Sequence, residues 1–250
     1  DDPIPAGPDF ARRSGSLGAN RQVFGRYRRL NRMAIFKAVL FDCDGVLVDS
    51  EPITNGVLHT MLVERGWNLS AQVCWDLFVG HTVRSRRDLI EQHTGQPWSE
   101  EWLTEFMQRR NLALQSDLQL IEGVREAVAH VHRHSGGRLA VASGADRFKV
   151  EMMLDQFGLL DYFQGRVFSG HEMPRSKPHP DVYLAAARHL GVDPKHCLVI
   201  EDTVTGVQAG VAAGATVWGY AVLGQGNDLL AAGAQHLIGH MRDLCELKFT

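Results

Sequence analysis

The sequence predicts an α/β protein: a doubly wound parallel-sheet core that carries a small all-helical domain. Three observations lead there. The apolar, β-forming run Ala38-Val39-Leu40-Phe41 stops abruptly at Asp42-Cys43-Asp44-Gly45, as a buried strand does when its C-terminal end delivers polar groups to a crevice. From about Gly123 onward, short apolar runs alternate with segments of helical period, the pattern of strand-helix-strand crossovers in a parallel sheet. Between these regions, residues 53–118 show helical spacing and no strand-like run.

Taken in order, residues 1–33 are rich in Pro, Gly, Ser and arginine without any sustained period. They are expected to form a disordered or loosely attached tail, left from expression or extending a domain that starts near Met33. As an organelle transit segment the stretch reads poorly, because it holds Asp1, Asp2 and Asp9 and lacks an apolar face. The α/β core is expected to comprise 34–52 and 119–250, with 53–118 inserted as the helical domain. In the insert, Ile53, Val57, Leu58, Met61 and Leu62 fall at helical spacing up to a stop at Gly66, and Trp98 and Trp102 belong to its core.

Beyond the insert, helices are predicted over 124–134, 147–157 and 181–190, and strands over 139–142, 167–168, 197–200 and 216–220. Polar punctuation follows them: Ser143-Gly144, the loop Ser176-Lys177-Pro178, and Glu201-Asp202. Gly206, Gly210 and Gly214 recur every fourth residue, which suits a helix packed tightly on a sheet and does not fit a dinucleotide-binding fingerprint.

Bulk properties narrow the function. With 250 residues, 44% of them hydrophobic, the chain can bury a substantial core, and its net charge of −3 lacks the basic footprint of a nucleic-acid binder. No apolar run approaches the length of a membrane span, so neither nucleic acid nor bilayer is expected as a partner. Cys43, Cys74, Cys197 and Cys245 have no paired spacing, which suits reduced thiols in a cytoplasmic protein better than disulfides or a zinc site. His130, His132 and His134 fall in the last turn of a helix, where they favourably meet its dipole, and are read that way rather than as metal ligands.

The chemistry concentrates at the strand ends. In an extended chain Asp42 and Asp44 project to the same side, and like charges held so close require a cation, a shared proton or a transferring phosphoryl group. Ser143 can donate a hydroxyl to a phosphate oxygen, Lys177 supplies a point charge for the same group, and Glu201-Asp202 can bind a hard dication through oxygen. Each has a plain alternative alone: a turn, a solvated loop lysine, or acids at a helix N-terminus. Their common placement argues for a site.

The run around Asp42 resembles the first motif, Asp-x-Asp-Gly-(Thr/Val), of the haloacid dehalogenase superfamily in its phosphatase and phosphomutase branch. Ser143, Lys177 and Glu201-Asp202 then stand in the order and contexts of that family's second, third and fourth motifs, so the resemblance spans the chain after its tail. It implies a Rossmann-like core with a mobile helical cap, and a Mg²⁺-dependent hydrolase of small phosphomonoester substrates, monomeric or a weak dimer. By the same resemblance Asp42 is the nucleophile that forms an aspartyl phosphate and Asp44 the general acid and base. Ser143, Gly144 and Lys177 bind phosphate, while Asp42, the Asp44 carbonyl, Glu201 and Asp202 hold the metal.

Departures sharpen this reading. Asp44 argues against carbon–halogen chemistry, whose branch lacks that second acid. The absence of lysine between Lys37 and Lys149 excludes the branch that forms a Schiff base on a cap lysine. The β-phosphoglucomutase-like branch has a histidine where this chain has Thr54, which favours hydrolysis over a mutase; a mutase and an inactive binding or regulatory module are the alternatives. Gly144 replaces the usual Asn, and Cys43 a bulkier apolar residue. In the insert, Arg84, Arg86 and Arg87 crowd together, and Arg84, then His81, are expected to read an anionic second group such as a sugar-acid carboxylate.

Overall fold

The computed structural model describes residues 35–222 and 224–249, and the expected N-terminal tail lies outside them. The chain divides into two compact units: Met33–Ser50 with Leu118–Thr250, and the intervening Glu51–Asp117.

The first unit is a layered α/β structure. Its strands are β1 (Ile35–Phe36), β2 (Ala38–Phe41), β3 (Leu139–Ser143), β4 (Val167–Ser169), β5 (Cys197–Glu201), β6 (Thr216–Tyr220), β7 (His236–Ile238) and β8 (Lys248–Phe249). Six of them form a parallel sheet in the order β4-β3-β2-β5-β6-β7, while β1 and β8 pair separately. Strands β2, β3 and β5 are buried along their whole length, which explains why they are apolar up to the terminal Ser143 and Glu201: helices cover both faces of such a sheet, so neither face needs alternating polar residues.

Helices Val124–His134 (α5), Arg147–Gln156 (α6), Asp181–His189 (α7), Val204–Ala212 (α8) and Gly226–Ala231 (α9) complete this unit. On one face Val182, Tyr183, Ala186 and Ala187 of α7 and Val207 and Ala209 of α8 pack with Leu40, Ala140 and Val199. Small residues let α8 approach the sheet: a Cβ on Gly210 would come within 2.7 Å of Val217 Cγ2. Gly210 therefore reports helix-on-sheet contact, as its spacing suggests.

Strand order reverses at β2. The chain passes from β2 to β3 and β4 on one side, then returns to place β5 on the other. Loops leaving β2 and β5 diverge there, so the carboxyl ends of these strands open the crevice where open α/β sheets bind ligands.

The second unit is all-helical: α1 (Glu51–Glu64), α2 (Ala71–Phe78), α3 (Arg87–Thr94) and α4 (Glu100–Asp117). It has its own core, in which Leu58, Met61, Leu62, Cys74, Phe78 and Ile90 pack with Trp67, Trp102, Leu103 and Phe106. Ser70 caps α2 by accepting the Val73 amide at 3.2 Å. Within the first unit, the outgoing and returning connectors run side by side, with Asp49 N donating to Gln119 O at 2.9 Å and Ile121 N to Leu47 O at 3.1 Å.

The predicted strands and helices match these elements apart from their ends. The first strand stops at Phe41, one residue before the acids. The two- and three-residue strands β1, β7 and β8 and the short α9 were not foreseen, because segments so brief show no measurable period.

Candidate active site

Register brings the polar strand ends together. Phe41 lies opposite Val141 of β3 on one side and Ile200 of β5 on the other, and Asp42 N donates to Ile200 O at 3.0 Å. Asp42 and Asp202, which follow β2 and β5, and Ser143 and Glu201, the last residues of β3 and β5, thus stand together at the carboxyl ends of the strands.

Lys177 ties the first cluster. Its ammonium donates to Asp42 Oδ1 at 2.7 Å and to Glu201 Oε1 at 2.6 Å, with all three side chains almost wholly removed from solvent. Tyr183 of α7 donates its hydroxyl to the same Glu201 oxygen at 2.7 Å, and the ammonium lies 4.9 Å from the centre of its ring. Burial pushes the Asp42 carboxyl up; Lys177 opposes this, Glu201 and Asp44 add to it, and the balance falls at about 7. Burial alone would lower the Lys177 ammonium, but Asp42 and Glu201 outweigh it and hold the lysine well above its usual value.

Glu201 is fully buried and heavily committed. Its Oε2 accepts from the amides of Asp202 and Thr203, at 3.1 and 3.2 Å, and from the Thr203 hydroxyl at 3.0 Å. With Lys177 and Tyr183 on Oε1, five donors meet a carboxylate that offers about four lone-pair directions. It acts as the keystone that aims Lys177 and the start of α8.

Asp44 belongs to a second cluster. Its Oδ1 accepts from Lys149 Nζ at 2.5 Å and from the Ser50 hydroxyl, and Ser143 Oγ lies 3.5 Å from its Oδ2. Ser143 also accepts the Ala145 amide at 3.0 Å, which fixes the turn after β3. A Cβ on Gly144 would meet nothing within 4 Å, so the glycine leaves open space where an Asn is usual in the family it resembles. Cys43 is buried, and its thiol is pushed well above its usual value by that burial and by Asp44 and Asp42, so it is an inert packing residue.

The donor set suits a hard divalent cation. Asp42, Glu201 and Asp202 each offer a carboxylate oxygen, and these atoms lie within 4.8 Å of one another. Two glycines make room for this crowding. A Cβ on Gly45, whose φ is +73°, would fall 2.1 Å from Asp202 Oδ2, and one on Gly206 would fall 1.8 Å from Glu201 Oε1. At Gly206 the carboxylate beneath the helix, more than packing on the sheet, requires the glycine.

Of the predicted residues, Asp42, Lys177, Glu201 and Asp202 converge, and Asp44 joins Ser143. His81 and Arg84 lie in the helical unit. Arg84 is engaged there by Glu100 through two hydrogen bonds of 2.6 Å, and Trp98 Nε1 donates to the same Glu100 at 2.9 Å. Burial and the nearby Arg86 lower the His81 imidazole. Sequence reasoning missed Lys149 and Tyr183. The available signals were a lysine in the first turn of a helix, where a cation is unfavourable, and a phenol among Val182, Ala186 and Ala187.

Comparison with known proteins supplies the family. The profile of the haloacid dehalogenase-like hydrolases matches residues 36–214. The chain belongs to this family. It is 30% identical to 6-phosphogluconate phosphatase of Escherichia coli over 74% of this chain and 83% of that one. It is 35% identical to hexitol phosphatase B of the same organism, over 70% of this chain and 79% of that one. A haloacid dehalogenase family hydrolase from Deinococcus radiodurans, solved with phosphate and sodium bound, superposes with a TM-score of 0.69 at 33% identity, covering 87% of this chain and 100% of that one. This hydrolase therefore shares its fold with that solved relative. Among its described residues, no helix is long and apolar enough to cross a membrane.

Proposed function

We propose that this hydrolase cleaves a small phosphomonoester, a sugar, sugar-acid or polyol phosphate, with Mg²⁺ and through an aspartyl phosphate on Asp42. The observation that carries this reading is one ammonium, Lys177, bridging Asp42 and Glu201 beside a third carboxylate, Asp202. Such an arrangement prepares an acidic nucleophile to receive an anion. The relatives named for 6-phosphogluconate and hexitol phosphates support the substrate class.

Asp42 and Asp202 would hold the ion directly, with the main-chain carbonyl of Asp44, while Glu201, its lone pairs met by five donors, would contribute its charge from behind and hold Lys177 in place. Bound there, a hard dication reduces the cost of bringing an anionic phosphate onto acids and draws charge from the transferring group. Lys177 contributes a second positive charge at the nucleophile, and Ser143 and the amides near Cys43, Asp44 and Gly144 offer donors to the phosphate oxygens. Asp42 attacks phosphorus in line, the P–O bond to the alcohol breaks, and Asp44 gives its proton to the leaving oxygen. Water then attacks the aspartyl phosphate, passing a proton to Asp44 and releasing phosphate and the free Asp42 carboxylate.

The test is phosphate release from a panel of sugar, sugar-acid and polyol phosphates plus p-nitrophenyl phosphate, with Mg²⁺, with EDTA, and with Asp42→Asn. Turnover is expected from the wild type with Mg²⁺ alone. Undiminished turnover by Asp42→Asn would refute the nucleophile, and silence across the panel would leave a binding module as the better reading.

A further inference from the structure

Lys149 has no part in the motifs that mark this family, yet its placement is the least expected in the core. It stands in the first turn of α6, whose N-terminus carries the positive end of the helix dipole, and its side chain is only 7% exposed. Flanked by Val150, Met153 and Leu154, all buried, an ammonium there meets burial and the dipole together, and both disfavour it. What offsets them is Asp44: Lys149 Nζ lies 2.5 Å from Oδ1, and Ser50 donates its hydroxyl to that same oxygen. The lysine is aimed by its own backbone. Asp146 accepts the Lys149 amide at 2.9 Å as the cap of α6, which fixes the first turn, and helical side chains lean back toward the N-terminus, here toward Ser143 and Asp44.

The two lysines divide the acids between them. Lys177 serves Asp42 and Glu201, while Lys149 serves Asp44. The Asp44 carboxylate is held at Oδ1 by two donors and has the Ser143 hydroxyl 3.5 Å from Oδ2, so both ends are restrained and the direction of its second oxygen is set. We propose that Lys149, with Ser50, is a positioning residue that orients Asp44 for proton transfer to the leaving oxygen. This rests on the general-acid role of Asp44 argued above.

Leaving-group dependence separates orientation from folding. An alkyl phosphate releases a basic alkoxide and needs the proton, whereas p-nitrophenolate departs readily without it. The comparison is made in kcat/KM, which ends at departure of the alcohol and excludes hydrolysis of the phospho-enzyme. For Lys149→Met, kcat/KM on an alkyl phosphate such as sorbitol 6-phosphate or 6-phosphogluconate is expected to fall by about 10²-fold or more, the size of a general-acid contribution. On p-nitrophenyl phosphate it should fall less than about fivefold. Lys149→Arg, which keeps the charge, should recover a large part of the loss. Equal losses on both substrates, or no loss on either, overturn the proposal. If Lys149→Met does not fold, Ser50→Ala removes the other donor to Oδ1 and should show the same selective loss in smaller degree; an even loss there also overturns it. A wild type inactive on both substrates refutes the phosphatase reading itself, a separate outcome.

Discussion

Lys177 shows how little latitude a buried charged cluster leaves. Replacing it by Met would strand Asp42 and Glu201 away from water with their shared cation gone. Breaking a buried pair in this way costs about 3–5 kcal/mol. Urea unfolding of Lys177→Met in EDTA should show that loss, together with loss of turnover. Asp42 makes a related prediction about pH. Its carboxyl titrates at about 7 in the fold against 3.8 ordinarily, so between those values the folded chain binds more protons than the unfolded one. Stability of the metal-free protein should therefore fall as pH rises from about 4 to about 7, then level off as both forms ionise. Mg²⁺ prefers the ionised acid, so adding it should flatten that slope in thermal melts; a melting temperature that climbs through this window without metal would contradict the assignment. Asp42, Lys177 and Asp202 were legible in the sequence because each interrupts an apolar strand or a turn. Tyr183 was not: a phenol on the buried face of α7 looks like packing until its hydroxyl is seen to donate to Glu201.

Helix α8 illustrates how an element answers to the site as well as to the sheet. Its second and third turns rest on Val199 and Val217 through Gly210, but its first turn sits over the Glu201 carboxylate through Gly206. Gly206→Ala should displace Glu201 and with it Lys177, lowering turnover by orders of magnitude even where circular dichroism shows a folded protein. Gly56 is the contrasting case. It lies exposed within α1, where a Cβ meets nothing within 4 Å, so Gly56→Ala should stabilise the protein by about 0.5–1 kcal/mol in urea melts without altering activity. Sequence alone could not separate these glycines, since the difference lies in what the fold sets beneath them. The long helices and the buried strands were readable from their periods, whereas the edge pairing of β1 with β8 rests on two residues each and had no pattern to read.

The two units carry separate cores, and among the described residues the acidic cluster lies in the α/β unit. Mg²⁺ that binds only when Asp42 and Asp202 are assembled stabilises the fold by about 4 kcal/mol at a thousand times its dissociation constant. Hydrogen exchange should therefore slow in β2 and β5 on adding Mg²⁺, while amides in the core of α1 and α4 keep their rates; uniform slowing, or none, would speak against a metal site at these acids. The same topology bears on the order in which the chain is made. Ala38–Phe41 lies almost wholly out of solvent between β3 and β5, yet the ribosome releases it long before either partner exists. Until Cys197–Glu201 emerges, the nascent chain carries an apolar strand with an unsatisfied edge, open to pairing with another copy. Fragments that end upstream of Cys197 should thus clump rather than survive as weakened proteins, and the late arrival of β5 makes one event of covering the open edge of β2 and completing the acidic cluster.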